Sequence, residues 1–208
     1  MLIDIHAHTT FSSCSDLEIG DILENTLSRG LDGVCITDHN TMDVRKVVSE
    51  GIQDNGLCVI IGMEYDSPEG DFLIFGPFED IRPGMSAREL LHHVHSSGGV
   101  AIAAHPFREE RPVSERFLIS GMVDAVEAVN GRNSDLENAK IQAWLRHHPL
   151  VQSGGSDAHS LPELGSVATS IGMPVRTRED FILAVKSGLC APVLNVQEQP
   201  SVEERRVS

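Results

Sequence analysis

Two histidines, His6 and His8, close the short apolar run that opens the chain in "LIDIHAHTTFSSCSD". Side chains alternate faces along a strand, so positions 6 and 8 point the same way and lie side by side. Two adjacent imidazoles repel each other when both are protonated, and each ring needs a partner for its nitrogens. A shared divalent metal ion satisfies both needs, because neutral imidazole is a common metal ligand.

The rest of the chain repeats this placement. "ITDHN" carries Asp38 and His39, "IIGMEY" carries Glu64 directly after apolar residues 59–61, and "VAIAAHPF" carries His105. "VEAVNGR" brings Glu127 and Asn130, and "SGGSDAH" brings Asp157 and His159. Each group sits where an apolar, strand-like run gives way to polar residues. In a parallel barrel such strand ends gather on one face, where barrels build their active sites. Imidazole and carboxylate without cysteine thiolates suit Zn²⁺, Mn²⁺ or Fe²⁺. The donors outnumber what one ion can use, which points to two or three ions sharing a bridging carboxylate.

The elements that must position these residues alternate between strands and helices. Apolar residues at helical spacing over 17–29 end at Gly30, and a strand over 33–40 follows. A second helix is expected over 43–54 and a strand over 57–67. The "PEG" turn at 68–70 then leads to a hairpin return in "DFLIFG". Residues 86–97 read as a helix with Ser86 as N-cap and Glu89 three positions on, a capping box. Further helices are expected near 114–120, 134–147 and 178–186, with strands at 100–107, 124–133, 150–159 and 166–171. About seven strand–helix units in some 200 residues imply a parallel α/β sheet closed, or nearly closed, into a barrel.

Composition narrows the function. The 208 residues contain 16 Lys+Arg against 31 Asp+Glu, a formal net charge of −15 that argues against long nucleic acid as a partner. Hydrophobic content of 40% is that of a globular chain, and no apolar run is long enough to cross a bilayer. There is no export-type leader, and Cys14, Cys35, Cys58 and Cys190 are scattered, so a reducing cytoplasm is expected. Residues 1–194 read as one domain and 195–208 as a polar tail.

The ordered set "DIHAHT", "ITDHN", "GMEYDS", "AAHPF", "EAVNGRN" and "GSDAH" resembles the PHP (polymerase and histidinol phosphatase) superfamily over nearly the whole chain. That resemblance implies a distorted, TIM-like (β/α)7 barrel with a two- or three-metal site at the C-terminal ends of its strands. By position, His6 and His8 would bind one metal together with Glu64 and Asp157. Glu64 would bridge to a second metal, also held by His105. His39 and His159 would hold a third, with Asp16 completing its shell. Many members carry a histidine on the hairpin strand where this chain has Asp71, which would donate oxygen instead.

The implied reaction is hydrolysis of a small phosphorylated metabolite or nucleotide by a metal-activated hydroxide, with Glu64, Asp157 and His159 as catalytic residues. Arg132 and Arg108, on loops at the same mouth, could grip phosphate oxygens. Asp38 could orient His39 or cap the loop, and Glu127 could accept a hydrogen bond from a ligand. Three alternatives stand beside this reading: a proofreading-type nuclease, a histidinol-phosphate phosphatase, and a metal-binding regulatory module without catalysis. His92, His93 and His95 lie on a helix away from the strand ends and read as surface residues, and Trp144 reads as packing. Glu64→Gln should therefore cost far more phosphoester hydrolysis than alanine at His92, His93 or His95. Equal losses in steady-state assays would place the site elsewhere.

Overall fold

The computed structural model describes residues 1–194; the tail expected over 195–208 lies outside the described residues. The elements run in the order β1 (Leu2–Ala7), α1 (Ile19–Asn25), β2 (Gly33–Ile36), β3 (Gly51–Ile52), β4 (Cys58–Ile61), β5 (Met63–Ser67) and β6 (Gly70–Phe75). They continue with α2 (Ala87–Ser96), β7 (Val100–Ala103), α3 (Glu115–Ile119), β8 (Ala125–Asn130) and α4 (Asp135–Leu145). The last are β9 (Val151–Gly155), β10 (Val167–Ile171), α5 (Arg178–Lys186) and β11 (Cys190–Leu194).

The strands form two sheets, ordered β11-β10-β1-β2-β4-β3 and β5-β6-β7-β8-β9. β1, β2 and β4 run parallel, as do β7, β8 and β9. The β5–β6 hairpin and the β6–β7, β1–β10, β10–β11 and β3–β4 pairs are antiparallel. The fold is thus mixed α/β, and among the described residues the ladders do not close into the expected barrel. The tight turn after Ser67 reverses the chain, and β10 returns against β1 with β11 against β10, so the strand–helix repeat is interrupted twice. The sheets meet at two isolated bridges, Ala7 with Ala158 and His39 with Glu64. Both bridges involve residues at or beside the predicted site.

Local chemistry accounts for most of the helix ends. The Ser86–Glu89 capping box forms as expected, and Ser134–Glu137 and Thr177–Asp180 make two more. The helix expected over 43–54 is absent. A 3₁₀ turn at Asp43–Lys46 is followed by β3, where Gly51 has a φ of 102°. The β-branched Val44, Val47 and Val48 disfavour a helix, and a left-handed glycine ends it.

Both strand faces are buried. One apolar cluster joins Ile36, Ile61, Ile74 and Val126 to residues of α1–α4. The other combines Ile3, Ile5 and Ile60 of one sheet with Leu73, Phe75 and Ile102 of the other, under Phe181, Ala184 and Val185 of α5. Fully buried Asp4 ties β1 to the segment after β9. Its Oδ1 accepts from the backbone N–H of Ser156 at 3.0 Å, and its Oδ2 accepts from Ser156 Oγ at 2.5 Å and Gly165 N–H at 2.9 Å. Those bonds fix the segment that presents Asp157. Asp4→Ala takes the acceptor from the Ser156, Gly165 and His6 N–H groups and leaves Ser156 Oγ only its 3.3 Å bond to the His6 carbonyl, so it should destabilise the metal-free protein by about 3 kcal/mol, read by thermal or urea unfolding. A change below about 1 kcal/mol would show that this clamp is dispensable.

Candidate metal centre

The strand ends deliver what their residue types promise. Nε2 of His6 and Nε2 of His8 lie 3.0 Å apart, and Glu64 Oε2 is 3.2 Å from the first and 3.1 Å from the second. Asp157 Oδ1 is 3.5 Å from His6 Nε2 and 3.3 Å from His8 Nε2. All four residues are buried. Donors about 2.0–2.2 Å from one ion stand about 3.0–3.5 Å from each other, so this cage has the size of a divalent metal site.

Hydrogen bonds on the far side of each ring decide which nitrogen faces the cage. His6 Nδ1 is 2.9 Å from Glu127 Oε1, which accepts from it, so the neutral ring keeps its proton on Nδ1 and turns Nε2 toward the cage. Glu127 Oε2 accepts from the backbone N–H of His105 at 2.8 Å and from Asn130 Nδ2 at 3.0 Å. Ser12 Oγ donates to Asp38 Oδ1 at 2.7 Å, so it is free to accept from His8 Nδ1 at 3.3 Å and from the His39 N–H at 3.0 Å. Asp38 also accepts from the Thr9 N–H and hydroxyl, each at 2.7 Å, and so holds the loop after β1. Gly155 is required here, since a Cβ would stand 2.5 Å from His6 Cβ and 2.8 Å from Glu127 Oε1.

Two further groups flank the cage. Glu64, Asp71 and His105 bring ligand atoms together on one side, and His8, His39 and His159 do so on the other. Glu64 belongs to two of the three: its Oε1 lies 2.9 Å from His105 Nε2, while its Oε2 faces His6 and His8. Nδ1 of His105 is buried without a hydrogen-bond partner. His159 donates from Nδ1 to the Asp157 carbonyl at 2.8 Å, and its ring centroid is 4.3 Å from that of His8. His105 and Asp157 have φ values of 28° and 56°, a left-handed backbone that side chains rarely adopt.

The charges are consistent with a cation-seeking site. Burial works against a charged His6, yet Glu127, Asp157 and Glu64 outweigh it and hold the ring well above the usual imidazole value. Burial would raise Glu64 and Asp157, but the surrounding histidines, His6 foremost, keep both below the usual carboxylate range. Burial, then the neighbouring His8, push His159 down to about 4, so its ring is neutral at physiological pH. Divalent ions fit this donor set, whose four ligand atoms, His6 Nε2, His8 Nε2, Glu64 Oε2 and Asp157 Oδ1, converge in a buried cage.

Not every expected residue joins. Asp16 is exposed and in none of the three groups; its backbone N–H bonds the His159 carbonyl, so the loop places its main chain, rather than its carboxylate, beside the site. Arg108 is engaged, with Nη2 donating to Asp157 Oδ2 at 2.7 Å and Asn130 Oδ1 at 2.8 Å and Nε to Asn133. Arg132 is freer: its nearest acidic partner is Glu163 at 3.6 Å, and it lines the mouth, a cavity of about 210 Å³, with Cys14 and Arg111. His92, His93 and His95 join none of the groups, and His95 pairs with Asp124 at 3.0 Å. A larger cleft of about 560 Å³ around Met1, Asp32 and Arg176 contains none of the expected ligands.

Sequence reading missed three contributors. No motif singles out Ser12 or Arg111, and the signal for Asp66, 3.2 Å from His39 Nδ1, is only its place two residues after Glu64 on the same strand. Glu127→Gln tests the supporting layer, because an amide in its place cannot accept from His6 and His105 together. Calorimetric titration should show metal affinity weakened ten- to a hundredfold in a protein that still folds. Unchanged affinity would remove Glu127 from the site.

Comparison with known proteins identifies the family and the fold. The PHP domain pattern matches residues 4–133, and a PHP-associated pattern matches residues 135–190. An uncharacterized protein of Methanocaldococcus jannaschii is 29% identical over 161 residues, 72% of this chain and 94% of that protein. A two-domain protein from Bacteroides vulgatus, containing a predicted PHP-like metal-dependent phosphoesterase, superposes with a TM-score of 0.71 at 15% identity, over 93% of this chain and 64% of that one. The lesion-specific endonuclease EndoQ of Pyrococcus furiosus does so with a TM-score of 0.66 at 19% identity, over 89% and 56%. With the domain pattern spanning well over half of its length, the chain belongs to the PHP domain family.

Proposed function

We propose that this protein is a metal-dependent phosphoesterase acting on a small phosphorylated metabolite or nucleotide. The observation that carries the reading is the Glu64 carboxylate, whose two oxygens face two different donor groups, as a carboxylate shared between two ions must. His6, His8, Glu64 and Asp157 would hold one ion, Glu64, His105 and Asp71 a second, and His8 or His159 with His39 a third. Such ions, Zn²⁺, Mn²⁺ or Fe²⁺, lower the pKa of a coordinated water and neutralise phosphate charge. We read the two sheets as the family's distorted barrel, opened where the ladders give way to isolated bridges.

The protein's own groups divide the remaining work. Asp157 is oriented through Oδ2 by Arg108, which leaves Oδ1 aimed at the histidines. His159 gives its Nδ1–H to the Asp157 carbonyl and is neutral, so its Nε2 would serve at the mouth as a metal ligand or as acceptor of a proton from an attacking water. Arg132, engaged only by a 3.6 Å ion pair with Glu163 among the described residues, has a guanidinium that can pair with two non-bridging phosphate oxygens. The Bacteroides and Pyrococcus proteins, by their descriptions, both point to phosphoester chemistry, and the net charge of −15 favours a small substrate over a polynucleotide. Among the described residues no helix is long and apolar enough to cross a membrane, and the four free cysteines fit a cytoplasmic setting.

A screen of sugar phosphates, nucleotides and histidinol phosphate with Mn²⁺- and Zn²⁺-loaded protein should find turnover. Arg132→Ala should leave metal content unchanged and lower kcat/KM ten- to a hundredfold, the worth of charge-assisted bonds of about 1.5–3 kcal/mol. Arg132→Lys should recover part of that, since a point charge cannot reproduce the fork. Full activity in Arg132→Ala would return this residue to the surface, and no turnover of any phosphoester would overturn the reading.

A further inference from the structure

Two arginines touch candidate metal ligands, and they do so differently. Arg108 reaches one oxygen of Asp157, Oδ2, and leaves Oδ1 to the histidines. Arg111, from the loop after β7, takes both oxygens of Asp71. Its Nε lies 3.1 Å from Oδ1 and 2.8 Å from Oδ2, and its Nη2 also bonds Oδ1. Asp71 is only 2% exposed and offers a ligand atom to the group containing Glu64 and His105. In that group the buried Nδ1 of His105 is left unpartnered. The guanidinium is permanently charged, and a forked pair saturates the carboxylate edge that a metal would use.

The fork is not locked in place by its surroundings. The Arg111 side chain is half exposed, and among the described residues its one other bond, to the Ser67 carbonyl, is long at 3.4 Å. It lines both the metal-site mouth and the adjoining cleft of about 470 Å³ beside Phe11, Asn40 and Asp66. The guanidinium can therefore leave Asp71 without unpacking the core, whereas Arg108 is tied to Asn130 and Asn133 as well.

We propose that Arg111 is a resident counter-cation that competes with a metal ion for Asp71, so that the Glu64–Asp71–His105 position is the most weakly held of the metal sites. This rests on the metal-centre reading above, but it concerns occupancy rather than turnover. An ion entering that position must break or share at least one bond of the fork and accept a positive charge beside it. Removing the guanidinium frees the carboxylate and removes the repulsion. Asp71 then becomes an ordinary oxygen ligand.

The test is calorimetric titration of chelator-stripped protein with Mn²⁺. Arg111→Gln should bind the weakest of the ions at least tenfold more tightly than the wild type, with the tighter sites unchanged. Arg111→Lys, which cannot fork, should shift in the same direction by less, and it guards against misfolding of the glutamine variant. Asp71→Asn should abolish the weakest event whether or not Arg111 is present. Arg116→Gln is the control, since Arg116 pairs with Glu69 outside the three groups and should leave the isotherm unchanged. If wild type and Arg111→Gln take up Mn²⁺ identically, or the variant binds more weakly, the competition is disproved while the metal centre stands. If the wild type takes up no Mn²⁺, the metal centre and this inference both fall.

Discussion

The molecule is organised around an electrostatic conflict. Two imidazole nitrogens lie 3.0 Å apart, each 3.1–3.5 Å from two carboxylate oxygens, in a buried cage at the floor of the mouth. Lone pairs facing one another in a dry interior are tolerable only with positive charge between them. A proton on His6 can supply part of that charge, which is why the surrounding carboxylates hold its ring so basic. Divalent cations supply it fully, and the cage has their dimensions.

Much of the surrounding structure keeps these groups in opposition. Glu127 and Ser12 fix the proton on the outer nitrogen of His6 and His8. Asp4 holds the segment that carries Asp157, and Gly155 lets β9 pass against His6 without a clashing Cβ. The strained backbone at His105 and Asp157 costs about 1–3 kcal/mol at each residue, an amount a well-packed two-sheet core can sustain. Of the three non-glycine residues with positive φ among the described residues, two are candidate ligands and the third, Asn40, directly follows the candidate ligand His39, so the strain gathers at the strand ends that build the site.

The site was more legible in the sequence than the architecture around it. Histidine and carboxylate at the ends of apolar runs are local signals, so His6, His8, His39, Glu64, His105, Asp157 and His159 could be found from motif order alone, and the structure brings all seven together. Sheet closure depends on long-range pairing, which leaves no such local mark. The antiparallel return of β10 is therefore expected as one more unit of a regular strand–helix repeat, β11 goes unpredicted, and the short β3 falls inside the helix expected over 43–54. Residues 43–54 show the same limit, since hydrophobic spacing suggested a helix that valines and Gly51 prevent. Asp16 sits close to the right loop, but its side chain faces solvent, a choice no motif encodes. Arg111 was illegible for the opposite reason: its partner, Asp71, is 40 residues away.

The central claim is that several cations, and not one, resolve the conflict at the strand ends. The most direct measurement is elemental analysis of divalent metal per chain in protein reconstituted and then passed through a desalting column, with the bound ions located by anomalous scattering. The account predicts at least two ions per chain, one within the His6–His8–Glu64–Asp157 cage and another on the far oxygen of Glu64. A single ion, or none, would contradict it.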